Sequence, residues 1–454
     1  MAFARANLSP VADVSPSDSA PSGRTRELLT LAGPLMFSNL AYTAVGFTDT
    51  LIVGRIGVAE VGAVGFAGIV LLTILLLFRG SLNTAATFVA RALGSGDRPG
   101  VRRWAGVFLT LSLIGVPLAF AGPWIVDVAF ALLQPDPVVA RIARAYAHVR
   151  IFETPFVLIG TVSLSIMVGL GNTRTPMVLA WLVMILNAVL ASLFVFVFGW
   201  GVRGAAWAAL VAVIVQQILA FALLHRLHGG LFGGFPFLRP RRAEMASFAR
   251  VSLPVGVTEL GEVSAFTAFQ GVISRLGATE LAASQIANQL ASLGFLPAFA
   301  LSAATGSLVS RALGARRTDV AAKVGWRGAG IAAAFMSVLG ALFLLFPRQL
   351  LGVFNGDAGV LRLGVPILAV MAAYQILDGV AIVLGGALGG AGDTRFRLVV
   401  TMTGSWIVMV LGSVFLAARF GVTGAWAAAL LYMIVAALAY VWRFRSGRWQ
   451  GRTL

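Results

Sequence analysis

The chain has 454 residues, of which 59% are hydrophobic and 11% charged, with a formal net charge of +17. Soluble domains are about 45–50% apolar and about 25% charged, so a soluble fold is excluded and a multi-pass membrane protein is indicated. Cysteine is absent, which rules out disulfides, thiolate metal sites and cysteine nucleophiles.

The first stretch, 1–25, is rich in Ser, Pro and Ala and reads as a disordered tail rather than a signal peptide. Apolar runs of about 20 residues cross a bilayer. Twelve follow, near 28–53, 60–92, 104–126, 138–168, 176–199, 203–225, 247–271, 280–312, 324–346, 358–388, 396–418 and 422–442. The sequence repeats at an offset of 220. "GRIGVAEVGA" (54–63) pairs with "SRLGATELAA" (274–283), "VARALG" (89–94) with "VSRALG" (309–314), and "GVRGAAWAAL" (201–210) with "GVTGAWAAAL" (421–430). Pro34 falls opposite Pro254, and "GNTR" (171–174) opposite "GDTR" (392–395), one residue off. Several matches in one register imply duplication.

Six spans per half give a parallel repeat, an arrangement of alternating-access carriers. The expected class is an all-α membrane protein with two six-helix lobes, 26–225 and 246–442, around a central cavity. A cytoplasmic linker, 226–245, joins them, and a basic cytoplasmic tail, 443–454, ends the chain. Most Lys and Arg lie on the side of the termini, which places both termini in the cytoplasm. That topology accounts for the positive charge, so no nucleic-acid partner is expected.

Few acids lie within spans: Asp49, Glu153, Glu259, Glu262 and Asp378, with Arg79 in the second span. An ionised group at mid-bilayer costs about 3 kcal/mol or more, so such groups face a cavity or a partner unless they reach the headgroups. That end-of-helix reading suits Glu153 best and Glu262 and Asp378 least. Glu259 and Glu262 share one helix face with Thr258, a stripe of oxygens. Such acids could take up a proton, or join carbonyls and hydroxyls around Na⁺. Arg79 either neutralises Asp49 or Glu153, or snorkels along its helix. Pro34 and Pro254 either kink the leading helix of each half or are early-turn prolines. The small residues of "GGALGG" (385–390) permit close helix approach.

Taken in order, "GFTDTLIVGRIGVAEVGAVG", "LGNTRTPMVLAWLVMILNAVL", "GVRGAAWAAL", "LPVGVTELGEVSAF", "LGATELAASQIANQ" and "YQILDGVAIVLGGALGGAGDTR" resemble the multidrug and toxic compound extrusion (MATE) transporters, over nearly the whole chain. The NorM-like branch is the most similar. The resemblance implies export of hydrophobic or cationic compounds in antiport with Na⁺ or H⁺. It also implies an ion-coupling and substrate-binding set of Asp49, Glu262 and Asp378, with Tyr374 beside Asp378 and Asn187 in the fifth span. Na⁺ would sit at Glu262 and Asp378. Glu259 is an acid the family pattern does not require. Where the DinF-like branch has an aspartate four residues after the asparagine, this chain has Ala191, which favours coupling in the second lobe or through Asp49 alone.

The expected protein is a monomer in the inner cell membrane, with no cofactor beyond the coupling ion. A lipid-linked flippase of the same fold superfamily is the alternative; it would need several cavity arginines. An enzyme is not expected: His148, His225 and His228 form no ligand set, and no nucleophile-elbow or P-loop motif occurs.

Overall fold

A computed structural model describes residues 21–232, 237–354 and 356–452. The tail expected at 1–25 lies outside the described residues as far as 20. Among the described residues all regular structure is helical. The helices are α1 Thr25–Gly54, α2 Val58–Asn83, α3 Ala85–Gly94, α4 Arg98–Ser112, α5 Gly115–Leu133, α6 Pro137–Arg150, α7 Thr154–Gly169, α8 Arg174–Ser192, α9 Gly201–Phe232 and α10 Arg242–Ser247. The second half supplies α11 Leu253–Ser274, α12 Ala278–Gly314, α13 Thr318–Leu345, α14 Pro347–Gly352, α15 Ala358–Ala391, α16 Thr394–Met402 and α17 Gly412–Arg445.

Ten helical stretches among the described residues are long and apolar enough to cross a membrane. The last, Thr394–Arg445, has 52 residues, enough for two crossings, and breaks at Gly421. With α11, the helix that carries Glu259 and Glu262, this makes twelve. Large apolar side chains such as Phe120, Leu132 and Phe415 stand exposed on these helices. In water that surface would aggregate; against lipid it is stable.

The duplication is written in the backbone. α1 and α11 end 220 residues apart, α2 and α12 begin 220 apart, and so do α4 and α13. Left-handed residues recur at the same offset: Gly201 (φ 55°) with Gly421 (φ 61°), and Gly96 (φ 71°) with Arg316 (φ 58°). Gly171 (φ 87°) and Gly392 (φ 85°) recur one residue off, as "GNTR" and "GDTR" do. Asp136 and Asp357 cap α6 and α15 alike: each Oδ1 accepts two backbone N–H groups of the first turn.

Two compact units result, Phe37–Phe248 and Pro21–Met36 with Ala249–Leu454. The first half of α1 therefore packs with the second unit, not with the N-terminal lobe expected from 26. Leu28 and Ala32, flanked by Leu31 and Leu35, lie in that unit's apolar core. Arg327 of α13 donates to the Gly23 carbonyl. Pro34 lies inside α1 at the change of partner, where it removes the helical bond to the Thr30 carbonyl. Pro254 lies in the first turn of α11, after a π-helical stretch, Phe248–Ser252.

The C-terminal segment expected as a basic cytoplasmic tail is instead largely folded onto the second unit. α17 runs to Arg445, and Arg443 Nε donates to the buried Asp393 Oδ2 at 2.6 Å. Trp449 is fully buried, stacks on Phe444 with centroids 4.6 Å apart and donates to the Phe444 carbonyl at 2.7 Å. The reason is the aspartate: buried in the "GDTR" turn, it requires a cation, and the last helix brings one.

The linker's second part is held to α4. Leu238 N donates to the Gly106 carbonyl at 3.2 Å, and Thr110 Oγ1 to the Leu238 carbonyl at 2.9 Å. Arg103 grips Glu244 with Nε at 2.6 Å and Nη2 at 2.8 Å. Burial works against the Glu244 carboxylate, but the Arg103 bonds and the Arg241 N–H outweigh it and hold its pKa below the usual range. A depressed pKa contributes stability above the unfolded value, lost as pH falls through the folded one. Glu244→Gln should therefore lower the melting temperature of the detergent-purified protein at pH 7, by at most about 1 kcal/mol in stability. The difference should vanish once acid has protonated Glu244 in the parent.

In the second unit α12 and α15 meet through glycine. A Cβ on Gly390 would stand 2.1 Å from the Gly306 carbonyl oxygen, and one on Gly386 2.1 Å from Ser302 Oγ. "GGALGG" thus supplies the close helix approach expected of it. Gly390→Val should cost about 1–3 kcal/mol by overpacking. Gly68→Ala, where a Cβ meets nothing within 4 Å, should be neutral or stabilising. Thermal melts of the two variants check this.

Candidate functional site

The seven residues predicted from sequence fall into two sets. Asp49, Arg79 and Asn187 lie in the first unit; Glu259, Glu262, Tyr374 and Asp378 lie in the second.

In the first unit Asn187 Nδ2 of α8 donates to Asp49 Oδ1 of α1 at 2.6 Å. Asn187 is buried and its Oδ1 has no hydrogen-bond partner among the described residues. The charge facing Asp49 is Arg150, not Arg79. Arg150 donates from Nη2 to Glu153 Oε1 at 2.7 Å and from Nη1 to Tyr146 Oη at 2.8 Å. Arg79 is exposed and lies near Tyr42. It does not bridge to Asp49 or Glu153, because Arg150 already neutralises that end of the cluster.

Glu153 is buried in an ion pair, which replaces the headgroup-reaching alternative. Local sequence builds this site. Pro155 cannot donate to the Ile151 carbonyl, so Ile151–Glu153 tightens into a 3₁₀ turn, and Thr154 Oγ1 supplies a bond to that carbonyl at 2.6 Å. Arg150 and Glu153 are thereby set at i, i+3 on the joint between α6 and α7.

In the second unit α11, α15, α16 and α17 converge. Asp378 is buried on α15, and its Oδ2 has no hydrogen-bond partner among the described residues. Glu262 of α11 is half-buried and interacts electrostatically with Asp378. Tyr374, one turn before Asp378, faces both acids and Tyr432.

Glu262 lies near Thr401 of α16 and within the field of the Arg397 guanidinium. Thr401 Oγ1 also lies 2.9 Å from Tyr440 Oη, beside Tyr432. Tyr440 Oη in turn donates to the Arg397 carbonyl at 3.5 Å. Glu259 lies one turn nearer the start of α11, within the field of Arg397. Thr258, placed on the acidic stripe by its spacing, is fully buried and donates its hydroxyl to the Pro254 carbonyl at 2.7 Å. Its single proton is therefore spent within the helix.

Sequence reasoning missed Arg150, Tyr146, Arg397, Thr401, Tyr432 and Tyr440. Arg397 stands at the start of the span 396–418 and lies within α16. The available signal was its i, i+4 spacing to Thr401. Among the described residues no group of three or more His, Cys, Asp and Glu is placed to hold a metal ion. A Na⁺ at Glu262 and Asp378 would need hydroxyl, carbonyl or water oxygens to complete its shell.

Truncating one partner of a buried ion pair costs about 3–5 kcal/mol because the other charge is left uncompensated. Glu153→Gln should therefore destabilise the protein strongly. The double variant Arg150→Met with Glu153→Gln should recover much of that loss. Melting temperatures of both, in one detergent, decide it.

The MatE family model matches residues 34–193 and again 254–414, beginning at Pro34 and at Pro254. A probable multidrug resistance protein NorM of Rhizobium meliloti is 30% identical over 448 residues, covering 94% of each chain. The probable NorM of Deinococcus radiodurans is 29% identical over 93% of this chain and 96% of its own. Among solved structures, an outward-facing multidrug resistance MATE family transporter of the MOP superfamily superposes with a TM-score of 0.85 at 22% identity, over 94% of this chain and 97% of its own. With the family model matched twice, once in each half, the chain belongs to the MatE family and is similar throughout its length to the NorM proteins within it.

Proposed function

We propose that this protein is a secondary active multidrug exporter. It expels hydrophobic or cationic compounds in antiport with Na⁺ or H⁺, and the Glu262–Asp378 cluster is the coupling site. The observation that carries the reading is Asp378: a buried acid in a membrane-length helix, beside a second acid, with one oxygen lacking a partner. A carboxylate so placed is unstable with its full charge and gains most from an arriving cation. A cationic compound and a coupling ion compete for that negative charge. Each lowers the affinity for the other, a reciprocal coupling free energy that permits exchange. The NorM names of the relatives support multidrug compounds as the substrate class.

In this reading Asp49 and Asn187 bind substrate or a second ion in the first unit, Tyr374 lines the site near Asp378, and Arg79 is a solvent- or headgroup-facing charge. The protein works as a monomer in the inner membrane, with cytoplasmic termini, no enzymatic step and no cofactor. A headgroup-binding flippase gains no support, because the span arginines Arg150 and Arg397 face carboxylates of their own units.

Glu262→Gln and Asp378→Asn should each reduce gradient-driven ethidium efflux from cells at least about tenfold while leaving expression intact. Wild-type rates in both variants would reject the coupling site. Reconstituted vesicles given a Na⁺ gradient at equal pH, or a pH gradient without Na⁺, identify the ion: only the true driver should sustain uptake of the compound.

A further inference from the structure

We propose that Arg397 is a tethered counter-cation. It neutralises Glu262 whenever the coupling ion is absent, and moves toward Glu259 when the ion arrives. The proposal rests on the coupling role of the Glu262–Asp378 cluster and assigns two residues which that role does not use.

Three placements support it. First, the Arg397 side chain lies along α15. A Cβ on Gly385 would stand 3.8 Å from its Nε, and one on Gly389 3.9 Å from its Nη1. Gly386 and Gly390 of the same "GGALGG" run face α12. The run thus serves two faces: one pair admits a neighbouring helix, and the other leaves a smooth lane for a guanidinium.

Second, α16 turns Arg397 and Thr401 toward one acid. Glu262 lies within the field of Arg397 and near Thr401, whereas Asp378 has Glu262 as its charged neighbour and an unpartnered Oδ2. Glu262, Asp378 and Arg397 together carry one net negative charge, which one monovalent cation cancels. The guanidinium and the arriving ion then compete for Glu262.

Third, Glu259 offers Arg397 somewhere to go. A charge that leaves its partner in a low-dielectric interior needs another at once. Glu259 lies one helical turn from Glu262 on the same face of α11, and Arg397 interacts with both. A guanidinium on a flexible stem spans that step by changing rotamers. The acid that no ion site requires therefore has a use as the alternate partner of the arginine.

The test is an ion titration of purified protein reconstituted with an ethidium-like substrate, using whichever of Na⁺ or H⁺ drives the wild type. Arg397→Gln removes the internal competitor. It should lower the half-saturating ion concentration about tenfold and slow maximal turnover, since ion release is no longer assisted. Arg397→Lys, which keeps the charge, should return both values most of the way to wild type. Glu259→Gln removes the alternate partner, holds Arg397 on Glu262, and should raise the half-saturating concentration several-fold. An arginine that only supports packing would lose turnover without a gain in ion affinity.

The same titration read as an ion-dependent rise in melting temperature of detergent-purified protein needs no transport. If wild-type efflux proves independent of either ion, the exporter reading fails, and the melting series still decides on Arg397. An unchanged or raised half-saturating concentration in Arg397→Gln, or an unchanged one in Glu259→Gln, overturns the proposal. Should Arg397→Gln fail to fold, Glu259→Gln and Arg397→Lys decide it.

Discussion

A charge in hydrocarbon must be matched, and the interior of each unit is arranged around that requirement. Glu153 is matched by Arg150 and Asp393 by Arg443, and Glu262 lies in the field of Arg397. Asp49 has the amide of Asn187 and the more distant field of Arg150. Among these acids Asp378 differs: its charged neighbour is another carboxylate and its Oδ2 has no partner. Ion pairs within a membrane are poor contributors to net stability, because desolvation offsets most of the attraction. They do fix where each charge stays, and among these acids they leave Asp378 with a carboxylate as its charged neighbour.

The helices that bring these groups together owe their paths to backbone devices more than to side-chain attraction. Lipid tails are as apolar as leucine, so helices in a membrane associate by close packing. Gly306, Gly386 and Gly390 let α12 and α15 approach until backbone touches backbone. Gly160 does the same for α7, where a Cβ would overlap the Gln217 side chain of α9. Gln217 in turn donates to Gln216, and Gln216 to Tyr42 Oη at 3.0 Å. A glycine on one helix thereby fixes a polar chain that ends on α1, the helix that also carries Asp49.

Much of the architecture could be read from the sequence because hydropathy and turn chemistry are local. The spans at 138–168, 176–199 and 280–312 emerge as 137–169, 174–197 and 278–314. The 220-residue repeat emerges as paired left-handed residues, since Gly201 and Gly421 are glycine for the same steric reason. The acids could be found because they interrupt apolar runs. Their partners could not. Arg397 stands three residues inside a helix whose first residues look like a loop, and only the packing of α16 on α11 turns it toward Glu262. Arg150 was hidden among the arginines of "ARIARAYAHVR", where nothing local marks the one that turns inward. The division of α1 between two cores, and the burial of Trp449, are likewise tertiary outcomes.

The repeat also shows what was not duplicated. The position equivalent to Asp49 in the second half is Phe269, fully buried and edge-on to Trp426 at 5.1 Å. The position equivalent to Glu262 in the first half is Tyr42, whose hydroxyl accepts from Gln216. The two acids are thus seven residues out of register, about 10 Å along a helix axis. Two clusters at different positions along equivalent helices of the repeat, with different charges, offer an ion different surroundings. The first presents an acid with an amide and a distant ion pair; the second presents two acids and a guanidinium beside them. A ligand that shifts a protein between states acts only through a difference in its affinity for those states. Halves that share a repeat but differ in their buried charges differ in what each offers a cation.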